Sequence, residues 1–124
     1  MTDLVERTLS EWRRGGHVWG RSDCLLSIGD YLWVAGYKDI AGRFWGTYST
    51  EEGAQVILDA HGGAEGLIDM TGVPRAPDAP QRGDVGLVQG IGALCTGFGW
   101  ALRLERGVIE VEARFVKPTT VWRV

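Results

Sequence analysis

The sharpest constraint on the fold is a change of pattern in the middle of the chain. Between Val73 and Arg82 lie three of its four prolines: Pro74, Pro77 and Pro80. Before this stretch the apolar residues recur at helical spacing, and after it they fall into short strand-like runs. Proline disfavours both helix interiors and central strands, so the stretch reads as an extended connector. It is not a domain linker, because the residues after it are too few to make a second domain. Helices first and strands second imply an α+β fold, with N-terminal helices packed on a C-terminal antiparallel sheet in a single domain over 1–124.

The segments follow from this pattern. Residues 2–14 read as an amphipathic helix capped by Thr2, with Leu4, Val5, Leu9 and Trp12 on one face and Gly15-Gly16 as the stop. A second helix runs from Cys24 to about Ala35 behind an Asp23 cap, and Gly36 ends it. Leu25, Leu26, Ile28, Leu32, Trp33 and Val34 make it apolar nearly all round, so it should be buried on most sides. Residues 37–50 read as a loop pinned by aromatics. Ser49 and Glu52 fit a capping box for a helix over 50–60, and a short helix over 64–70 follows. Strands are expected at 84–89, at 93–104 as one longer strand or a bent pair with a bulge suggested by Gly97 and Gly99, at 108–111, at 115–116 and at 121–124.

Composition excludes several functions. Hydrophobic and charged shares of 44% and 23% are those of an ordinary globular protein. Two cysteines 71 residues apart make neither a disulfide framework nor a zinc pattern, and two histidines add no metal cluster. No cofactor is therefore expected. The net charge is −3 and the arginines are scattered, which gives no nucleic-acid footprint. There is no secretion signal and no apolar run long enough for membrane insertion, so a soluble protein made in the cytoplasm is expected. Glycine, at 19 of 124 residues, is about twice its usual share, and there are six tryptophans. Tight turns or a surface built for contact would use both, with Trp45 and Trp100, each beside glycine, as candidate contact points.

The chemistry-bearing stretch is His17-Val-Trp-Gly-Arg-Ser-Asp23-Cys24. A helix N-terminus offers free N–H groups and a partial positive charge, which favour a thiolate. Cys24 is thus a candidate nucleophile; the alternative is a small apolar residue packed beneath its helix. Asp23 is a candidate orienting group or simply the helix cap. His17 is a candidate base or a loop residue packed against Trp19. His61 suits the C-terminal end of its helix, and Cys95 reads as a core residue.

Trp19-Gly20, Asp23-Cys24 and Gly83-Asp84 resemble the motifs of NlpC-type cysteine peptidases of the papain-like superfamily. The whole chain, with Tyr48-Ser49-Thr50, Gly83-Asp84-Val85 and Val121-Trp122-Arg123-Val124, is similar to a family of phage and prophage tail proteins related to those peptidases. The resemblance implies a papain-like fold. It also implies a place in the virion tail after assembly, and partners among other tail proteins or in peptidoglycan. The peptidases need a histidine on the second core strand, facing the cysteine. Here that position falls on Ala93 or Leu94, and no histidine follows His61. His17 takes the place of an active-site tyrosine of the family. Three readings follow: a tail-tip or assembly component with its catalysis lost; an active peptidoglycan-cleaving peptidase using Cys24, His17 and Asp23 or Asp84; and a cell-wall-binding module that does not cleave.

Overall fold

The computed structural model describes residues 3–124. Helices α1 (Leu4–Arg14), α2 (Cys24–Val34), α3 (Glu51–Ala60) and α4 (Gly63–Met70) precede strands β1 (Val85–Val88), β2 (Ile91–Cys95), β3 (Gly99–Leu104), β4 (Gly107–Glu112) and β5 (Thr120–Trp122). Single 3-10 turns sit at Ala41–Arg43 and Ala113–Phe115. The strands form one sheet in the order β4-β3-β2-β1-β5, every pair antiparallel. The architecture is α+β, as the change of pattern at the prolines implies.

Caps decide the helix ends. The cap expected at Thr2 lies outside the described residues; Asp3 caps α1, its carboxylate accepting from Glu6 N at 2.8 Å. Asp23 caps α2 as expected. At the other end Gly36 takes φ +110°, Gly36 N donates to Trp33 O and Tyr37 N to Leu32 O, a Schellman closure. The cap of α3 is Thr50 rather than Ser49: Thr50 is extended and its hydroxyl accepts from Gly53 N at 3.0 Å.

Alternation along the strands gives the sheet two apolar faces. Val85, Leu87, Leu94, Ala101 and Trp122 pack with Val5, Leu9, Trp12, Ile28, Tyr31 and Leu32 of the helices. Val88, Ala93, Cys95, Trp100 and Leu102 form the core of the opposite face. Trp100, expected as a contact point, is only 2% exposed. Its ring lies over Gly86, where a Cβ would sit 2.7 Å from Trp100 Cζ3. Of the longer strand or bent pair expected over 93–104, the pair forms, because Thr96 accepts from Gly99 N and folds the chain back after Cys95. Of the strand expected at 115–116, Phe115 instead ends the 3-10 turn and Val116 is the extended residue that follows it. The end of α2 also departs from expectation: Trp33 and Val34 are exposed, while Tyr31 and Leu32 of the same turn stay buried in the helix-side core.

Candidate active site at the start of the second helix

Two buried carboxylates organise the Trp19-Gly20, Asp23-Cys24, Tyr48-Ser49-Thr50, Gly83-Asp84-Val85 and Trp122-Arg123-Val124 segments. The first is Asp23, 1% exposed. It accepts from Leu26 N at 3.0 Å, from Gly20 N at 2.9 Å and from Tyr48 Oη at 2.5 Å. Gly20 must be glycine on two counts. Its φ is +81°, and a Cβ there would lie 1.9 Å from Tyr48 O. So the Trp-Gly-x-x-Asp-Cys segment and the Tyr-x-Thr segment close on one carboxylate. Burial and the bond to Asp23 push the Tyr48 phenol well above its usual range, so it stays a donor.

The second carboxylate is Asp84, also 1% exposed. It accepts from Gln81 N at 2.9 Å and from Arg123 Nε at 3.0 Å, and Arg123 also pairs with Asp78. Next to it, Tyr31 Oη donates to Gly83 O at 2.6 Å, and Trp122 Nε1 donates to Asp69 at 2.8 Å. The Gly-Asp-Val and Trp-Arg-Val segments are thereby joined.

Cys24 opens α2 and is partly buried. The backbone N–H groups of Cys24 and Leu25 favour the thiolate, as a helix start should. Two larger effects oppose them. Burial first, and then the adjacent Asp23 carboxylate, push the thiol up to about 11. The lowered pKa expected from helix position alone is overturned by desolvation.

On the helix side of β2, Gly92 lies against the start of α2. A Cβ there would meet Ile28 Cγ1 at 2.9 Å and Cys24 O at 3.7 Å. Of the two positions expected to take the place of the histidine, Leu94 is packed in the helix-side core and Ala93 belongs to the opposite face. Cys95 shares the face of Ala93, away from α2.

Neither histidine is joined to the thiol. His17 stands edge-on against Trp19, with ring centroids 4.7 Å apart. His61 Nδ1 donates to Ile57 O at 2.8 Å, and its ring packs edge-on against Phe44. Among the described residues no hydrogen bond links an imidazole to Cys24 or Asp23, and no group of His, Cys, Asp and Glu side chains could hold a metal ion. The structure therefore puts Asp23 beside Cys24 but spends its carboxylate on the cap, Gly20 and Tyr48.

One polar residue beside this region escaped the sequence reading. Arg103 of β3 is 8% exposed and reaches under α2. It donates from Nη1 to Ser27 Oγ at 3.1 Å and from Nη2 to Gly16 O at 3.2 Å. A usable signal was the alternation of Gly-Trp-Ala-Leu-Arg-Leu, which turns Arg103 to the same side as Ala101.

A family model described as a domain of unknown function (DUF6950) matches residues 2–124. No curated protein and no solved structure matches the chain.

Proposed function

The chain belongs to the DUF6950 family, and we propose that it is a structural or assembly component of a phage or prophage tail tip. On this reading its scaffold is papain-like, of the NlpC type, and its cysteine is idle. The observation that carries the proposal is the state of Cys24: a partly buried thiol, pushed up to about 11, with no imidazole among the described residues hydrogen-bonded to it. A nucleophile in such a place lacks the proton shuttle, typically worth about 10²–10⁴ in rate. The motif residues serve the two carboxylate networks instead, which favours a scaffold kept for its shape. Exposed Trp33, Trp45, Phe98 and Phe115 offer contact points for other tail proteins. The protein would be made in the cytoplasm and carried into the virion.

Genetic replacement tests this. Deleting the chain from the genome that encodes it is expected to leave tails absent or misassembled, and Cys24→Ala is expected to restore them as well as wild type does. Two results overturn the proposal: normal tails after deletion, or a folded Cys24→Ala protein that fails where wild type succeeds. The second, together with muropeptide release that depends on Cys24, would establish a peptidase. Binding of peptidoglycan fragments without products, with normal tails after deletion, would establish a wall-binding module.

A further inference from the structure

The two edges of the sheet differ. The outer side of β5 is closed by the proline stretch: Ala76 N donates to Val121 O and Arg123 N to Pro74 O, each at 2.9 Å. At the other edge, β4 pairs with β3 alone. Its register runs without a gap, and Ala113 N donates to Phe98 O, so the hydrogen-bonded pairs fall at Val111, Ile109 and Gly107. Val108, Glu110 and Glu112 therefore turn their backbone N–H and C=O groups away from β3. Among the described residues no backbone group bonds them there. Sheet edges are commonly guarded by proline, lysine or a bulge. β4 has none of these, and Ile109, on its face away from Glu110, is 46% exposed.

The charges along this edge select the strand that fits it. Glu110 and Glu112 are exposed and share one face with Val108. Glu110 accepts from Thr96 Oγ1 at 2.6 Å, a neutral partner. Glu112 pairs with Arg114 at 2.8 Å, but both are mostly exposed, and such pairs contribute little. The start of α1 lies at this end too, because Arg82 bonds both Asp3 and Thr96 O; it brings Glu6. The other end carries Glu105 and Arg106 in the turn, with Arg13 and Arg14 closing α1 beside Arg103, the partner of Val108. Arg7 and Glu11 face the cavity toward α2. We propose that β4 takes an extended segment of another protein as a further antiparallel strand, with Lys or Arg opposite Glu110 and Glu112 and apolar residues opposite Val108, Ile109 and Val111. Opposite charges directly across a ladder stabilise it. A second copy of this chain fits less well. It would set both α1 helices on the same side, each packed on its own β4. Neighbouring strands lie about 4.8 Å apart, whereas packed helices need about 8–10 Å. Neither Cys24 nor the carboxylate networks take part.

NMR titration of the full chain with the end-blocked peptide Thr-Lys-Val-Lys-Val-Val-Thr tests this. In antiparallel register its two lysines meet Glu112 and Glu110. One added strand buries less than a standard interface, so the expected Kd is about 1 mM or somewhat tighter. The amides of Val108, Glu110 and Glu112, which gain acceptors, should shift most and exchange more slowly. A peptide with glutamate for both lysines is expected to bind about tenfold more weakly or not at all. So is one N-methylated at the second lysine, which keeps its charge but loses the N–H that would donate to Glu110 O. Glu110→Gln with Glu112→Gln, both at exposed positions, should weaken the lysine peptide about threefold or more. No shift at about 3 mM peptide overturns the proposal. So does binding that N-methylation leaves unchanged, which is charge attraction without strand addition, or equal binding of the glutamate peptide. Shifts of the same three amides with protein concentration alone overturn it in favour of a second copy.

Discussion

The reactivity of Cys24 toward a small alkylating agent can be worked out from its surroundings. An ordinary thiol titrates near 9.0, whereas burial and Asp23 push Cys24 up to about 11. At about pH 7.5 that difference lowers the thiolate fraction about a hundredfold, from ~3% to ~0.03%. The more basic thiolate is the better nucleophile, and a Brønsted coefficient of about 0.4–0.5 returns about six- to tenfold. The net expectation is alkylation by iodoacetamide about 10–15-fold slower than for a free cysteine, before any shielding by the fold. A Cys95→Ala background leaves Cys24 as the reporter, and mass spectrometry reads the adduct. The logarithm of the rate should climb steadily with pH to about 10.5. A plateau below about pH 8, or a rate at neutral pH above that of free cysteine, would mean that an armed thiolate exists, and the argument from desolvation would be wrong.

Three further outcomes are expected. Asp30 titrates at about 6 in the folded chain, raised chiefly by burial, against about 3.9 unfolded. The folded state holds that proton more tightly, so the associated stability is complete below about pH 4 and lost as pH rises through 6. Asp30→Asn should therefore gain on wild type by about 1–2 kcal/mol between pH 4 and pH 7 in urea melts, the two-unit shift being discounted for partial solvation; a difference that does not change with pH refutes this. Tyr48→Phe removes a bond to a buried carboxylate and should cost about 1.5–3 kcal/mol, while Asp23→Ala, which strands two N–H groups as well, should cost more; losses below about 0.5 kcal/mol in chemical denaturation would show that Asp23 does not hold the loop. Gly92→Ala forces a Cβ against Ile28 and should cost about 1–3 kcal/mol, whereas Gly16→Ala, with open space around it, should stay within about 0.5 kcal/mol; equal melting curves for the two would refute the packing argument.

The legibility of the fold depended on whether its cause was local. Asp23 and the Gly36 stop were readable because a cap acts within four residues. The cap of α3 was displaced by one, from Ser49 to Thr50, because two adjacent hydroxyls offer the same local signal and only the extended backbone at Thr50 selects between them. Gly97 and Gly99 were read as one bulge. They serve separate ends of a turn: Gly97 takes φ +95°, and Gly99 leaves room for Val111 O. The exposure of Trp33 and Val34 was invisible, because an all-round apolar helix does not show which of its sides the sheet covers. At the candidate site, Asp23 and Cys24 were found by their spacing, but the partner of Asp23 was not. Tyr48 lies 25 residues away, and nothing in its own neighbourhood announces the bond. Arg103 could have been found, since strand alternation alone turns it inward.

The position of β5 bears on the timing of synthesis. Trp122 is fully buried in the helix-side core, and β5 pairs with β1 along the sheet. The four helices are complete by Met70, yet the surface they need is made from residues 85–122. At about 5–20 residues per second, a ribosome takes roughly 3–10 s to pass from Met70 to Trp122. During that interval the apolar faces of α1 and α2 have no sheet to cover them, so the nascent chain is a client for whatever shields such faces at the ribosome. Folding is gated by the arrival of its last strand.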